Sequence, residues 1–250
     1  MRYLHSFFRI VVLLLLLVCM PARTEAIPLV PIHILIDVGH GGVDSGTSYG
    51  NLYEKDINLQ IAKRLYEQLT RAGFSVALNR YEDIALSDDN RWLGIRSRHI
   101  RDLAQRKNLA KEIVPQMMLS LHVNWASDAR QRGPVVIYQS NDQSFMLADL
   151  LQSSLNRLAN TNAKPVKGKT YYMLRHSYCP SVIVEMGFIS NASDRAMLTN
   201  PASQEKIAQA IKEAVSAYVI LTGNLKMDTP TDESWWQEPL IQQINGRLDE

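Results

Sequence analysis

The chain has 250 residues, of which 46% are hydrophobic and 21% charged, and its formal net charge at pH 7 is +2. This length suits one large domain, and the composition excludes collagen-like, disordered and coiled-coil proteins. Two cysteines are too few for a disulfide scaffold or a zinc ribbon. The fold must therefore be stabilised by a hydrophobic core, which a chain of this length can bury.

The first 26 residues have the pattern of an export signal. Arg2 and Arg9 precede an apolar run over residues 10–20, which is too short to cross a membrane. Small residues precede a candidate signal-peptidase cleavage point after Ala26. The sequence therefore favours a cleaved signal over an uncleaved N-terminal anchor. We therefore predict a protein exported to the cell envelope or another extracytoplasmic space, which would contact a membrane only through this segment if the segment is retained.

Cleavage of this signal would change the charge of the chain. The remaining residues contain 24 Lys plus Arg and 24 Asp plus Glu, so the mature formal charge is zero. A nucleic-acid partner is not expected, because proteins that bind nucleic acids are usually strongly basic. Only Cys179 remains, so no internal disulfide can form.

The residues after the signal alternate between strand-like and helix-like patterns, which is typical of an α/β domain. Short apolar runs predict strands over 33–37, 74–78, 117–121, 135–138, 171–174 and 181–185. Apolar residues three or four apart predict helices over 55–72, 145–158 and 205–221, and residues 91–114 also permit a helix. Residues 27–221 are thus predicted to form one domain, and residues 222–250, with Trp235 and Trp236, a tail.

Four polar residues stand where predicted strands end or a helix begins. His40, His122 and Glu185 end or follow predicted strands, and Glu54 precedes a helix. The carboxyl ends of strands meet at one edge of an α/β sheet, where ligands bind. Two histidines and one carboxylate are the usual protein ligands of a catalytic zinc ion, and a further carboxylate suits a general base. Taken singly, each residue also fits an ordinary role, such as a loop histidine or a helix N-terminal acid.

Four motifs occur in the same order as in a known enzyme family. They are D-x-G-H-G-G-x-D-x-G at 37–46, E-K-D-I-N-L at 54–59, S-L-H-x-N at 120–124 and V-E-x-G-F-x-S-N at 184–191. With these motifs the chain resembles the zinc-dependent N-acetylmuramoyl-L-alanine amidases of the amidase-3 type, over residues 32–220. The resemblance implies a single α/β domain with a central six-stranded, mostly parallel or mixed sheet flanked by helices.

The resemblance also implies a site and a reaction. His40, Glu54 and His122 would bind Zn²⁺, and Glu185 would be the catalytic acid and base. The bond cleaved would join the lactyl group of N-acetylmuramic acid to L-alanine in peptidoglycan. An export signal followed by a bare catalytic domain is similar to the members that modify spore cortex, where stem removal precedes muramic-lactam formation. Such a member would act in the forespore intermembrane space.

Further residues are candidates for supporting roles. Asn124 and Asn191 could bind substrate amides or cap turns. Arg106 belongs to an arginine-rich stretch, residues 91–111, that could meet an anionic substrate or an activating protein partner, or could simply face solvent. The family's Arg-x-x-x-Ala-Asn pattern reads R-K-N-L-A-K from Arg106, so Lys111 stands where the family has its final Asn.

Two aspartates near the first histidine are candidates for orienting it. Asp37 and Asp44 could accept hydrogen bonds from the ring of His40 or stabilise turns. The residue before the first motif glycine is Val38, where the family usually has proline.

Two rival functions share these features. A zinc carboxypeptidase that cuts the peptidoglycan stem peptide would use the same ligand types, and a wall-binding protein could use the fold without catalysis. The intact Glu185 argues against the second rival, because a degenerate relative would be expected to lose that residue first.

Overall fold

A computed structural model of the chain describes residues 31–88 and 93–223. The predicted export signal, Arg91 and the tail with Trp235 and Trp236 lie outside these residues. No helix within the described part of the chain is long and apolar enough to cross a membrane.

A six-stranded mixed sheet forms the centre of the domain, as predicted. The strands in the described residues are β1 Ile34–Val38, β2 Ser48–Tyr49, β3 Leu52–Tyr53, β4 Val76–Leu78, β5 Met117–Asn124, β6 Val135–Tyr138, β7 Val166–Lys167 and β8 Ser181–Phe188. Strands β4, β1, β5 and β8 are parallel neighbours, β6 runs antiparallel to β8, and β7 is parallel to β6. A two-stranded antiparallel hairpin, β2 and β3, forms a separate small sheet.

Helices cover both faces of this sheet. In the described residues they are α1 Glu54–Arg71, α2 Arg98–Ile113, α3 Asp142–Ala159, α4 Tyr172–Arg175, α5 Ala192–Thr199 and α6 Pro201–Thr222. The apolar stripes of α1, α3 and α6 pack together on one face and form the main core. Residues of α2 and α4 pack on the opposite face, in a smaller cluster.

The alternation of side chains along the strands assigns each residue to a face. Ile36 of β1 packs in the main core with α1, whereas Leu35 packs with Met118 on the α2 side. His122 and Glu185 are partners in register on β5 and β8. Since Met118 and His122 are four residues apart on β5, the two site residues lie on the α2 side of the sheet.

Several predicted boundaries were wrong, and one predicted element was of the wrong kind. Residues 171–174 were predicted as a strand but lead into helix α4, where the neighbouring Met173 and Leu174 are both buried. Neighbouring residues of a strand point to opposite faces, so this pair favours a helical turn. Helix α2 begins at Arg98, where Ser97 accepts a hydrogen bond from the backbone N–H of Ile100. Strands β5 and β8 extend three residues beyond their predicted ends.

The end of β8 is fastened by a buried carboxylate, which gives a prediction about stability. Asp194 Oδ2 accepts hydrogen bonds from the backbone N–H groups of Phe188, at 2.8 Å, and Gly133, at 2.7 Å. Asp194→Ala would leave both buried N–H groups without a partner, so the free energy of unfolding should fall by about 2–4 kcal/mol. Chemical denaturation measures this change, with exposed Asp149→Ala on α3 as the control. A loss no larger than that of the control would contradict the assignment.

Candidate metal centre

The carboxylate of Glu54 lies between the two predicted histidine ligands. Glu54 Oε1 is 3.2 Å from His40 Nε2 and 2.9 Å from His122 Nδ1. The three ligand atoms that these residues offer all lie within 4.8 Å of one another. The fold thus brings the turn after β1, the first residue of α1 and the end of β5 to one point.

Glu54 is buried, and its hydrogen bonds favour the charged form. Its side chain is 4% exposed. Oε2 accepts the backbone N–H of Thr47 at 2.9 Å, and Oε1 accepts that of Val123 at 3.0 Å. Burial opposes the charge, but hydrogen bonds with His122 and His40 outweigh it and hold the pKa of Glu54 well below its usual range. Its position at the start of α1 adds the favourable helix dipole.

His40 is held in an unusual backbone conformation. Its φ is 60°, in the left-handed region that non-glycine residues seldom adopt. Asp44 Oδ2 lies 2.9 Å from His40 Nδ1. With the proton on Nδ1, this contact orients the ring so that Nε2 faces Glu54. Asp44 Oδ1 also accepts the backbone N–H of Gly46 at 3.0 Å, so both roles considered for Asp44 occur together.

Two glycines of the first motif leave room for the ligands. A Cβ at Gly39 would lie 2.6 Å from His122 Nε2, and one at Gly46 would lie 2.5 Å from Glu54 Oε2. Gly46 also has a φ of +63°, which disfavours other residues. These positions therefore serve the packing of the site as well as the turning of the chain.

Glu185 lies beside this cluster on the neighbouring strand. It is the register partner of His122, so the two side chains leave the same face of the sheet. Burial raises the pKa of Glu185, and so does the negative charge of Glu54. The charges of His122 and His40 act in the opposite direction, but they do not outweigh burial. Oε2 of Glu185 is buried and has no hydrogen-bond partner among the described residues. A carboxylate with a raised pKa is a stronger base than an ordinary glutamate, which suits a group that accepts and returns a proton.

Two other candidate residues occupy different places from those expected. Asp37 accepts hydrogen bonds from Arg106 Nη1, at 2.6 Å, and from Ser120 Oγ rather than from the ring of His40. Arg106 is 4% exposed and is also paired with Asp102. A guanidinium group enclosed in this way argues against substrate binding by Arg106.

The two asparagines differ in what their side chains do. Asn191 caps α5, because Oδ1 accepts the backbone N–H groups of Ser193 and Asp194 while Nδ2 donates to Ala129 O. Its amide is therefore used structurally, which is the second of the two roles considered for it. Asn124, at the end of β5, is partly exposed, and its Oδ1 accepts the backbone N–H of Trp125 at 2.7 Å, so substrate binding by Asn124 stays a prediction.

Two contacts with Glu54 come from residues to which the sequence analysis assigned no role. Asn58 lies one helical turn after Glu54, is fully buried, and donates to Glu54 Oε1 and to Gly39 O, each at 3.3 Å. Thr47 supplies the backbone N–H that meets Glu54 Oε2. The i, i+4 spacing of Glu54 and Asn58 within one motif was the signal that could have revealed the first contact.

The pair formed by His40 and Asp44 should stabilise the metal-free protein only within a limited pH range. Burial lowers the pKa of His40, but hydrogen bonds with Asp44 and Glu54 outweigh burial and raise it from 6.5 to about 9. The bond with His40 lowers the pKa of Asp44 from 3.8 to about 2. The histidine contribution is complete below pH 6.5 and lost as the pH rises through 9. The aspartate contribution is complete above pH 3.8 and lost as the pH falls through 2.

We therefore expect Asp44→Asn to lower the melting temperature of the metal-free protein most at about pH 4–6.5, and least above about pH 9. Thermal melts followed by circular dichroism measure the difference, with Asp149→Asn on the exposed face of α3 as the control. A difference that stays constant from acid to alkaline pH would be inconsistent with this pair.

Comparison with known proteins identifies the family. The family model Amidase_3, described as N-acetylmuramoyl-L-alanine amidase, matches residues 34–217. The chain belongs to this family. This confirms the family inferred from the four motifs, and with it the class of enzyme.

Relatives and solved structures agree with this assignment. The chain is 34% identical over 194 residues to N-acetylmuramoyl-L-alanine amidase LytC of Bacillus subtilis (strain 168), a match that covers 76% of this chain and 36% of LytC. It is 30% identical over 193 residues to the germination-specific N-acetylmuramoyl-L-alanine amidase of the same organism, covering 76% of this chain and 81% of the relative. The CwlD amidase from Clostridioides difficile, solved in complex with the GerS lipoprotein, matches with a TM-score of 0.71 and 32% identity, over 76% of this chain and 99% of CwlD. The chain thus spans about a third of the length of LytC and most of the length of the other two.

Proposed function

We propose that this chain is a zinc-dependent amidase that cleaves the bond between the lactyl group of N-acetylmuramic acid and L-alanine in peptidoglycan. The observation that carries the proposal is the cluster of His40, Glu54 and His122 with Glu185 on the adjoining strand. Membership of the N-acetylmuramoyl-L-alanine amidase family supports the choice of bond.

The residues of the cluster fit a zinc ion. Two imidazole nitrogens and one carboxylate oxygen are the donor set of many catalytic zinc sites. Glu54 is held charged, and His40 is oriented by Asp44, as is common for histidine ligands. The unpartnered oxygen of Glu185 supports a place for substrate or water beside the ligands. Bound zinc would supply a Lewis acid that lowers the pKa of water and polarises the substrate carbonyl.

Glu185 is proposed to move the protons of the reaction. It takes a proton from the attacking water as the new C–O bond forms at the lactyl carbonyl. It then gives that proton to the nitrogen of L-alanine as the C–N bond breaks, which releases the stem peptide with a free amine. The raised pKa of Glu185 suits the first transfer, because burial makes this carboxylate a stronger base than an ordinary glutamate.

Exposed aromatic side chains close in the sequence to Glu54 and His122 support a large substrate. Tyr53 immediately precedes Glu54 and is 39% exposed, and Trp125 follows Asn124 and is 54% exposed. Aromatic rings offer flat apolar surfaces that can pack on the apolar faces of sugars while their polar atoms remain hydrated. We propose that these two side chains contact the peptidoglycan strand.

The cellular role is proposed from the leader and the relatives. Residues 1–26 would direct export, residues 27–221 would form the catalytic domain, and residues 222–250 would form a tail. The germination-specific relative supports action on spore cortex. CwlD is solved with the GerS lipoprotein, which supports an activating protein partner for this chain. The exposed arginines Arg96 and Arg98 of the predicted partner-binding stretch are available for such a contact, whereas Arg106 is buried.

The products of digestion test the proposed bond. Purified protein with zinc should release intact stem peptides from peptidoglycan and leave glycan strands without peptides, as measured by mass spectrometry of the muropeptides. Removal of the metal with a chelator should abolish the release, and zinc should restore it. Loss of only a terminal residue from the stem would instead indicate a carboxypeptidase.

The role of Glu185 is tested by Glu185→Gln. This change keeps the volume of the side chain but removes its basicity, so kcat should fall by about 10²–10⁴-fold. Zinc content, measured by elemental analysis, should stay near that of the parent because Glu185 is not a ligand in this proposal. Glu213→Gln, on the exposed face of α6, is the control. Parent-like kcat in Glu185→Gln would refute the assignment.

A further inference from the structure

Two buried arginines lie beneath the turn that carries His40. Arg80 follows β4 and is 2% exposed, and Arg106 comes from α2 and is 4% exposed. Buried arginines are rare and need several partners to offset the loss of water. Where their hydrogen bonds go therefore indicates what they do.

The two guanidinium groups donate to three successive backbone carbonyls of this turn. Arg106 Nη1 donates to Val38 O at 2.7 Å, and Nη2 donates to His40 O at 3.0 Å. Arg80 Nη2 donates to Gly39 O at 3.0 Å, and Nε donates to Val38 O at 3.3 Å. Charged donors therefore fix the backbone carbonyls of Val38, Gly39 and His40.

Arg80 also connects this turn to the helix that carries Glu54. Its Nη2 donates to the backbone carbonyl of Lys55 at 2.8 Å. Lys55 is the second residue of α1 and directly follows Glu54. One guanidinium group thus holds the backbone next to two of the three residues in the metal cluster.

Both arginines are charged at neutral pH. Asp37 Oδ1 lies 2.6 Å from Arg106 Nη1, and Asp102 Oδ2 lies 2.5 Å from Nε. Burial opposes the charge of Arg106, but these two carboxylates outweigh it and raise its pKa. Burial and the charge of Arg106 lower the pKa of Arg80 to about 10, which still leaves it charged at neutral pH.

We propose that Arg80 and Arg106 are positioning residues for the metal centre. They hold the turn in the conformation that puts His40 at a φ of 60°, and Arg80 fixes the distance from this turn to the start of α1. They act through backbone carbonyls, and so set the geometry of His40 and Glu54 before a metal binds. The inference rests on the proposed function, because it assigns these residues a role toward zinc at the same cluster.

The test uses Arg80→Lys and Arg106→Lys in the full chain. Lysine keeps the buried positive charge but not the planar fork of donors that reaches two carbonyls at once. The Zn²⁺ dissociation constant of the metal-free protein is measured by competition with a chromophoric chelator, and the coordination by the absorption spectrum of the Co²⁺ form. We expect each variant to bind zinc about 10–100-fold more weakly than the parent, with an altered cobalt spectrum.

The control is Arg101→Lys. Arg101 lies on the same helix as Arg106 and also donates to backbone carbonyls, those of Ile95 and Arg96, which belong to a loop outside the cluster. Its zinc affinity should match that of the parent even if its melting temperature falls.

The outcomes separate this inference from the proposed function. Parent-like zinc affinity and cobalt spectra in both test variants would overturn the positioning role, whatever their melting temperatures. If Arg106→Lys does not fold, Arg80→Lys decides alone, since it leaves the pairs of Arg106 with Asp37 and Asp102 in place. A parent protein that binds no zinc would contradict the proposed function instead.

Discussion

The site depends on a buried carboxylate, that of Glu54, and on the partners that keep it charged. A buried charge is costly unless it is paired and hydrogen-bonded. Glu54 meets both conditions, with two imidazoles beside it and backbone N–H groups from Thr47 and Val123. These partners come from the turn after β1, the loop before the β2–β3 hairpin and strand β5. The same contacts that stabilise the charge therefore also bring three separate segments of the chain together.

The contrast between the two glutamates supports the proposal that one site holds a metal and moves a proton. Hydrogen bonds with the histidines keep the pKa of Glu54 low, which suits a permanent ligand. Burial without a hydrogen-bond partner for Oε2 raises the pKa of Glu185, which suits a base. Pairs of acids whose environments move their pKa values apart are typical of sites that use one for charge and the other for proton transfer.

The motifs predicted which polar residues lie together more accurately than the local patterns predicted the secondary structure. The proximity of His40, Glu54, His122 and Glu185 could be predicted because their types and order match a family and because strand ends collect at one sheet edge. The two-residue strand β7 and the short helix α5 were missed, since such elements carry little periodicity. The burial of Arg106 was not foreseeable, because its partners Asp37 and His40 lie more than sixty residues away in the chain. The position of Arg106 in an arginine-rich stretch instead suggested an exposed surface.

The most direct test of the account is the identity of the zinc ligands. X-ray absorption at the zinc edge, measured on protein loaded with one equivalent of metal, reports the number and type of coordinating atoms. We expect one ion bound by two imidazole nitrogens and by oxygen, at about 2.0–2.2 Å, with one imidazole lost in His122→Ala. Sulfur coordination, or an imidazole count that does not change in His122→Ala, would contradict it.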